Sequence, residues 1–151
     1  MKIAIANDHT AVALKNHIKA YLEGKGHTVV NFGIDETGRS EYPIYAARAA
    51  HAVADGVCER GIVICGTGIG VSIAANKVKG IRCALCSEPV SAKLTREHND
   101  ANMIAFGARL IGPVMAEAIV DAFIETPFSG AERHEKRIEM ISRIENGETI
   151  E

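Results

Sequence analysis

Short apolar runs alternate with amphipathic stretches along the chain. Lys2–Ala6, Thr28–Phe32, Gly61–Cys65, Ile81–Cys86 and Asn102–Phe106 have the length and composition of buried strands. Between them lie helical patterns. Leu14, Ile18, Tyr21 and Leu22 recur at helical spacing, and Gly24 and Gly26 close that helix. Pro43 fits the first turn of a second helix running to about Asp55. A third leaves the glycine-rich loop and runs to about Lys77, and a fourth spans Glu88 to His98. After Pro113, the residues Val114, Met115, Ala118, Ile119, Ala122 and Phe123 form one stripe that Thr126-Pro127 ends. The last helix, about 131–145, is mostly charged, with Ile138, Met140, Ile141 and Ile144 on its inner side and Glu139 and Arg143 spaced to pair outside.

Five apolar strands separated by amphipathic helices imply a parallel sheet covered on both faces. Right-handed crossovers make this a doubly wound, Rossmann-like α/β domain, expected to occupy 1–151. Ligands in such folds bind at the carboxyl ends of the strands, where the strand order reverses. With the order 2-1-3-4-5, that point lies between strands 1 and 3. The loops Asn7-Asp8-His9 and Gly66–Gly70 then face each other across one crevice.

Composition narrows the partners. The net charge of −2 offers no basic excess for nucleic acid, and no segment suggests a membrane span, a membrane surface or a signal peptide. A cytoplasmic location is expected, with the four cysteines as thiols. Cys83-Ala-Leu-Cys86 has C-x-x-C spacing, but on a strand the two sulfurs point to opposite faces, against zinc or redox chemistry. Cys58 reads as a residue without function.

Cys65-Gly66-Thr67-Gly68-Ile69-Gly70 leaves a strand and enters a helix. Its glycines let a ligand approach the backbone, whose successive N–H groups attract an anion. A ligand-free turn and a dinucleotide site are the competing readings. The spacing is G-x-G-x-G rather than G-x-G-x-x-G, although Glu88 stands where a ribose-binding acid would be expected. No Gly-Lys-Ser/Thr follows, so the loop is not a P-loop. Cys65 is either a small buried hydrophobe or a thiolate. Beside a helix N-terminus its pKa would fall below the free value of ~8.5, and such a thiol can act as base or nucleophile.

Asp8-His9 follows strand 1, and His98-Asn99 ends the fourth helix; both pairs are expected on the rim that carries Cys65. Asp8 can serve a histidine or a sugar hydroxyl, or simply cap the first helix. Arg133 and Arg137, at i and i+4, point the same way and suit a phosphate or a solvated face equally. Arg109 is a third phosphate candidate. His17, His27, His51 and His134 have no assigned role.

Asp8-His9, Tyr42-Pro43, ICGTGIGVSIAANK (64–77), GIRCALCSEP (80–89), SAKLTREHNDANMIAFGARLIG (91–112) and Arg133-His134 with Arg137 together resemble the type B ribose-5-phosphate isomerases over nearly the whole chain. The resemblance implies interconversion of ribose 5-phosphate and ribulose 5-phosphate without metal or cofactor. It implies that Cys65 carries the proton between C2 and C1. His98 helps open the furanose ring, Asp8 assists, and Thr67 stands beside the enediol oxygens. Gly66, Gly68, Ile69 and Gly70 supply amides to the oxyanion, while His9, Tyr42, Asn99, Arg109, Arg133 and Arg137 hold substrate and phosphate. It further implies a homodimer or dimer of dimers, with sites shared between subunits. Two departures stand out: Ser129-Gly130-Ala131-Glu132 where the family commonly has Gly-Gly, and Thr10-Ala11 in place of a commoner Ala-Gly. Retention of His98, Arg133 and Arg137, part of which the galactose-6-phosphate isomerase subunits generally lack, favours a pentose; a six-carbon sugar phosphate such as allose 6-phosphate is the alternative substrate.

Overall fold

The computed structural model describes residues 1–151. Its strands are β1 (Lys2–Asn7), β2 (Thr28–Asn31), β3 (Arg60–Cys65), β4 (Cys83–Leu85) and β5 (Met103–Gly107). Its helices are α1 (Val12–Gly24), α2 (Tyr42–Ala54), α3 (Ile69–Ala75), α4 (Pro89–Asn99), α5 (Pro113–Glu125) and α6 (Glu132–Glu145). All strand pairs are parallel.

Alternation along the strands divides the core between the two faces. Ile3, Ile5, Ile62, Ile64, Ile104 and Phe106 turn to one side, where they meet α1 and α5 through Leu14, Ile18, Ile119 and Phe123. Ala4, Ala6, Val63 and Ala105 turn to the other, against the alanines of α2. Small residues on both surfaces let that helix approach closely, while the opposite layer is filled by larger side chains. Cys86 lies in the first layer and Cys83 in the second, as their spacing requires.

The sheet order is β2-β1-β3-β5-β4, so the expected 2-1-3-4-5 is corrected at its far edge. Every residue of β5 is buried, and the strand pairs with β3 over its full length. β4 is three residues long and leaves Leu85 46% exposed, which suits an edge. It is shorter than the predicted 81–86 partly because the Arg82 amide donates to the Asn102 side chain. The reversal between β1 and β3 is unaffected.

Two helical faces differ from expectation. Val114 and Met115 of α5 are exposed, as are Ile141 and Ile144 of α6, where only His134 is buried. Arg143 pairs with Glu148 beyond the helix end rather than with Glu139. The helix α6 therefore carries an apolar side that its own chain does not cover. No helix is long and apolar enough to cross a membrane.

Candidate active site

The carboxyl ends of β1, β3 and β5 carry the first group of candidate residues. The loop after β3 lies pressed onto the end of β5. A Cβ on Gly107 would stand 2.6 Å from the Thr67 carbonyl carbon, and one on Gly68 would stand 2.7 Å from that of Phe106. Gly68 also has φ +78°, a conformation that strains other L-residues. These contacts fix the turn that presents Cys65. The sulfur is nearly buried and accepts a bond from the Gly68 amide at 3.1 Å. A thiolate accepts such a bond more strongly than a thiol. The Ile69 amide donates to Thr67 Oγ1, so two of the loop amides are engaged within the loop itself.

The other loops close around this turn. The Arg109 amide donates to the Gly66 carbonyl, and the Arg109 side chain passes beside Gly66 together with Thr10 Oγ1. The Tyr42 ring lies against Gly70, where any Cβ would collide with it. The Asp8 amide donates to the Ile64 carbonyl, which ties the end of β1 to β3. Asp8 does not cap α1. Its Oδ1 accepts from the amide and the hydroxyl of Thr10, at 2.9 and 2.6 Å, while Ala11 occupies the cap position. Thr10, one of the two departures, thus orients the Asp8 carboxylate. The His9 amide donates to Ser40 Oγ, which also lies 3.3 Å from His9 Nδ1.

The second group lies at the opposite edge. α4 runs back to the amino ends of the strands, so His98 and Asn99 stand just before β5 begins at Met103. In register, Met103 faces Gly61 and Gly107 faces Cys65. Five residues of strand separate the two edges by roughly 17 Å. The expectation that His98-Asn99 shares the rim of Cys65 is therefore wrong within one chain. A helix that follows a strand at its carboxyl end must return to the amino end before the next parallel strand can start.

On that amino edge, the His98 ring packs on His134 at 4.5 Å between centroids. His134 is buried, and its Nδ1 is bonded to Ser129 Oγ at 2.9 Å. Burial, then the neighbouring Arg133 and His98, push the His134 pKa down, so the ring is neutral at neutral pH. Arg133 and Arg137 are exposed beside it. Neither joins an ion pair in the chain, and Glu132 leaves Arg133 free. The result is a cationic shelf open to solvent.

Sequence reasoning did not find Ser40, Thr10 as a positioner, or His134. Ser40 lies in an irregular loop with no periodic signal. His134 adjoins Arg133 in a segment already singled out, and that adjacency was the available clue. Glu88 does not behave as a ribose-binding acid, because its carboxylate caps α4 by accepting from the Val90 and Ser91 amides. His17 pairs with Glu117 on the surface. No three His, Cys, Asp or Glu side chains converge as a metal would require.

Fold and site together define a doubly wound α/β protein with a thiol and a glycine loop at its switch point and a shelf of two histidines and two unpaired arginines at the other edge. The family model for Ribose/Galactose Isomerase matches residues 3–141. The chain is 49% identical to the ribose-5-phosphate isomerase B of Escherichia coli K12 over 95% of its own length and 96% of the relative's. It is 48% identical to the D-erythrulose-4-phosphate isomerase of Pectobacterium atrosepticum, over 86% of each chain. The structure of ribose-5-phosphate isomerase B from Clostridium thermocellum superposes with a TM-score of 0.95 at 46% identity, covering 97% of this chain and 99% of that one. The chain belongs to the ribose/galactose isomerase family.

Proposed function

We propose that this chain interconverts ribose 5-phosphate and ribulose 5-phosphate through an enediolate. The observation that carries the reading is Cys65, held by the Gly68 amide at the floor of a rim formed by Asp8, His9, Tyr42 and Arg109. In the open-chain aldose, the Cys65 thiolate takes the proton from C2. The electron pair moves to O1, and the loop backbone with Thr67 stabilises the charge that develops there. Return of the proton to C1, with transfer of the O2 proton to O1 by way of Asp8 or solvent, gives the ketose. No net redox change occurs. His98 acts before this, delivering a proton to the ring oxygen as the furanose opens. Arg133 and Arg137 hold the phosphate, supported by His9, Asn99 and Arg109.

A rate assay with ribose 5-phosphate, allose 6-phosphate and galactose 6-phosphate tests the substrate. The highest kcat/KM is expected for ribose 5-phosphate; a preference for either hexose phosphate would reassign it.

The same reading requires a homodimer. Cys65 and His98 lie at opposite edges of one chain, so they meet at one substrate only when two chains pair. Exposed Ile69, Ile73 and Leu85 flank the glycine loop, and exposed Ile141 and Ile144 lie on α6, the helix of the shelf. Both surfaces suit burial against a second copy. The four free cysteines accord with a reducing, cytosolic setting. Mixing Cys65→Ala and His98→Asn chains after joint unfolding tests the pairing. Half the dimers are then mixed, and each holds one intact site, so activity should return to about a quarter of wild type. If each chain carried a complete site, mixing would restore nothing.

A further inference from the structure

His98 and Asn99 end a helix, and helix ends fray unless something holds them. Here the end is closed by Asp100, the only non-glycine residue with positive φ, at φ +43° and ψ +44°. Such a conformation persists in Asp only when its surroundings hold it there. Two guanidiniums hold it: Arg82 donates to the Asn99 and Asp100 carbonyls and to Asp100 Oδ2 from the strand side, and Arg96, whose side chain is 3% exposed, holds it from within. Arg96 Nη1 donates to Asp100 Oδ1 at 2.7 Å and to the Ala101 carbonyl at 2.6 Å, and its Nε donates to the Thr126 carbonyl at 3.2 Å. One guanidinium therefore ties the end of α4 to the segment leading into α6. That segment returns the connection, because the Ser129 amide donates to the Glu97 carbonyl and Ser129 Oγ holds His134 against His98.

We propose that Arg96 and Asp100 form a positioning clasp that fixes the His98 imidazole for ring opening. The proposal rests on the role given to His98 above and adds the residues that place it. Both act through the protein: Arg96 is buried with Nε and Nη1 bonded to protein acceptors, and the two carboxylate oxygens of Asp100 accept from Arg96 and Arg82. A lysine there keeps the charge but lacks the planar fork that reaches the helix end and the Thr126 carbonyl together. An amide at position 100 keeps an acceptor for Arg96 and tolerates positive φ. A glycine there adopts the same backbone without strain and removes the carboxylate that Arg96 holds.

The test separates ring opening from proton transfer. Ribulose 5-phosphate cannot close a five-membered ring, because O5 carries the phosphate. Exchange of its C1 hydrogen with deuterated water, followed by NMR, therefore reads the Cys65 step alone. In Asp100→Gly and Arg96→Lys, kcat for ribose 5-phosphate should fall about tenfold, since small displacements of a proton donor are costly. Saturated C1 exchange should stay within about twofold of wild type, and Asp100→Asn should restore most of the ribose 5-phosphate rate. A purely structural role predicts a lowered Tm with both rates falling in parallel, and that result would overturn the proposal. So would unchanged ribose 5-phosphate turnover in a folded Asp100→Gly protein. If Arg96→Lys fails to fold, Asp100→Gly decides alone, because glycine suits the backbone there. A wild-type protein inactive on ribose 5-phosphate would instead reject the proposed function, and a His98→Asn chain with full ribose 5-phosphate turnover would reject the role of His98.

Discussion

Cys65→Ala abolishes interconversion in both directions and also stops C1 exchange from ribulose 5-phosphate. The expected loss in kcat is about 10³-fold or more, within the range that a positioned general base contributes. The substitution is small and leaves the fold intact. The sulfur's hydrogen bond is the one from the Gly68 amide, and alanine fits a strand end already lined by alanines. Binding of a non-reacting phosphate ligand, measured by calorimetry, should change by less than about threefold, because the phosphate is held elsewhere. Cys65→Ser separates two readings of the sulfur. Serine preserves size and hydrogen bonding but remains a hydroxyl at neutral pH, so it should be nearly as inactive. Substantial turnover by either variant would remove Cys65 from the mechanism.

His98→Asn gives the second large effect, and it depends on the ring form of the substrate. Turnover of ribose 5-phosphate should drop by about 10²-fold, because the furanose then opens without a proton donor. C1 exchange from ribulose 5-phosphate should persist at close to the wild-type rate. The contrast follows from geometry. His98 and Cys65, the residues proposed for ring opening and proton transfer, stand on opposite edges of the sheet, and no hydrogen bond in the chain couples them. An equal loss in both assays would mean that His98 acts at the enediolate instead.

Strand and helix positions were legible because the sheet is buried on both faces and its strands are unbroken apolar runs. Ile3–Ala6 and Gly61–Cys65 are two such runs. The strand order was not legible at the edge. An apolar run shows that a strand is buried but does not say which neighbour it takes, and the fourth and fifth runs are both short and apolar. The glycine loop could be read residue by residue, since Gly68 and Gly107 answer to local steric demands. The placement of His98 could not be read from chemistry alone, although the connectivity rule for parallel strands would have put it on the amino edge. Ser40 and His134 depend on contacts between segments distant in sequence or irregular in form, where periodicity carries no information. The solvent-facing isoleucines of α6 look like core positions in a linear pattern, because helical spacing of apolar residues does not show which apolar faces the chain itself covers.

Two functional edges on one polypeptide also shape what gene duplication can do with it. After duplication, one copy can lose its histidine shelf while the other loses its thiol loop. Under the proposed pairing each loss is tolerated while the partner copy is expressed, because a mixed pair retains one complete site. Drift alone then makes the two genes mutually dependent, and a symmetric pair becomes an obligate pair of unlike subunits. The half that no longer meets reacting atoms is free to be reshaped for a longer sugar. A chain that keeps Cys65, His98, Arg133 and Arg137 together, as this one does, still carries both halves of the proposed site.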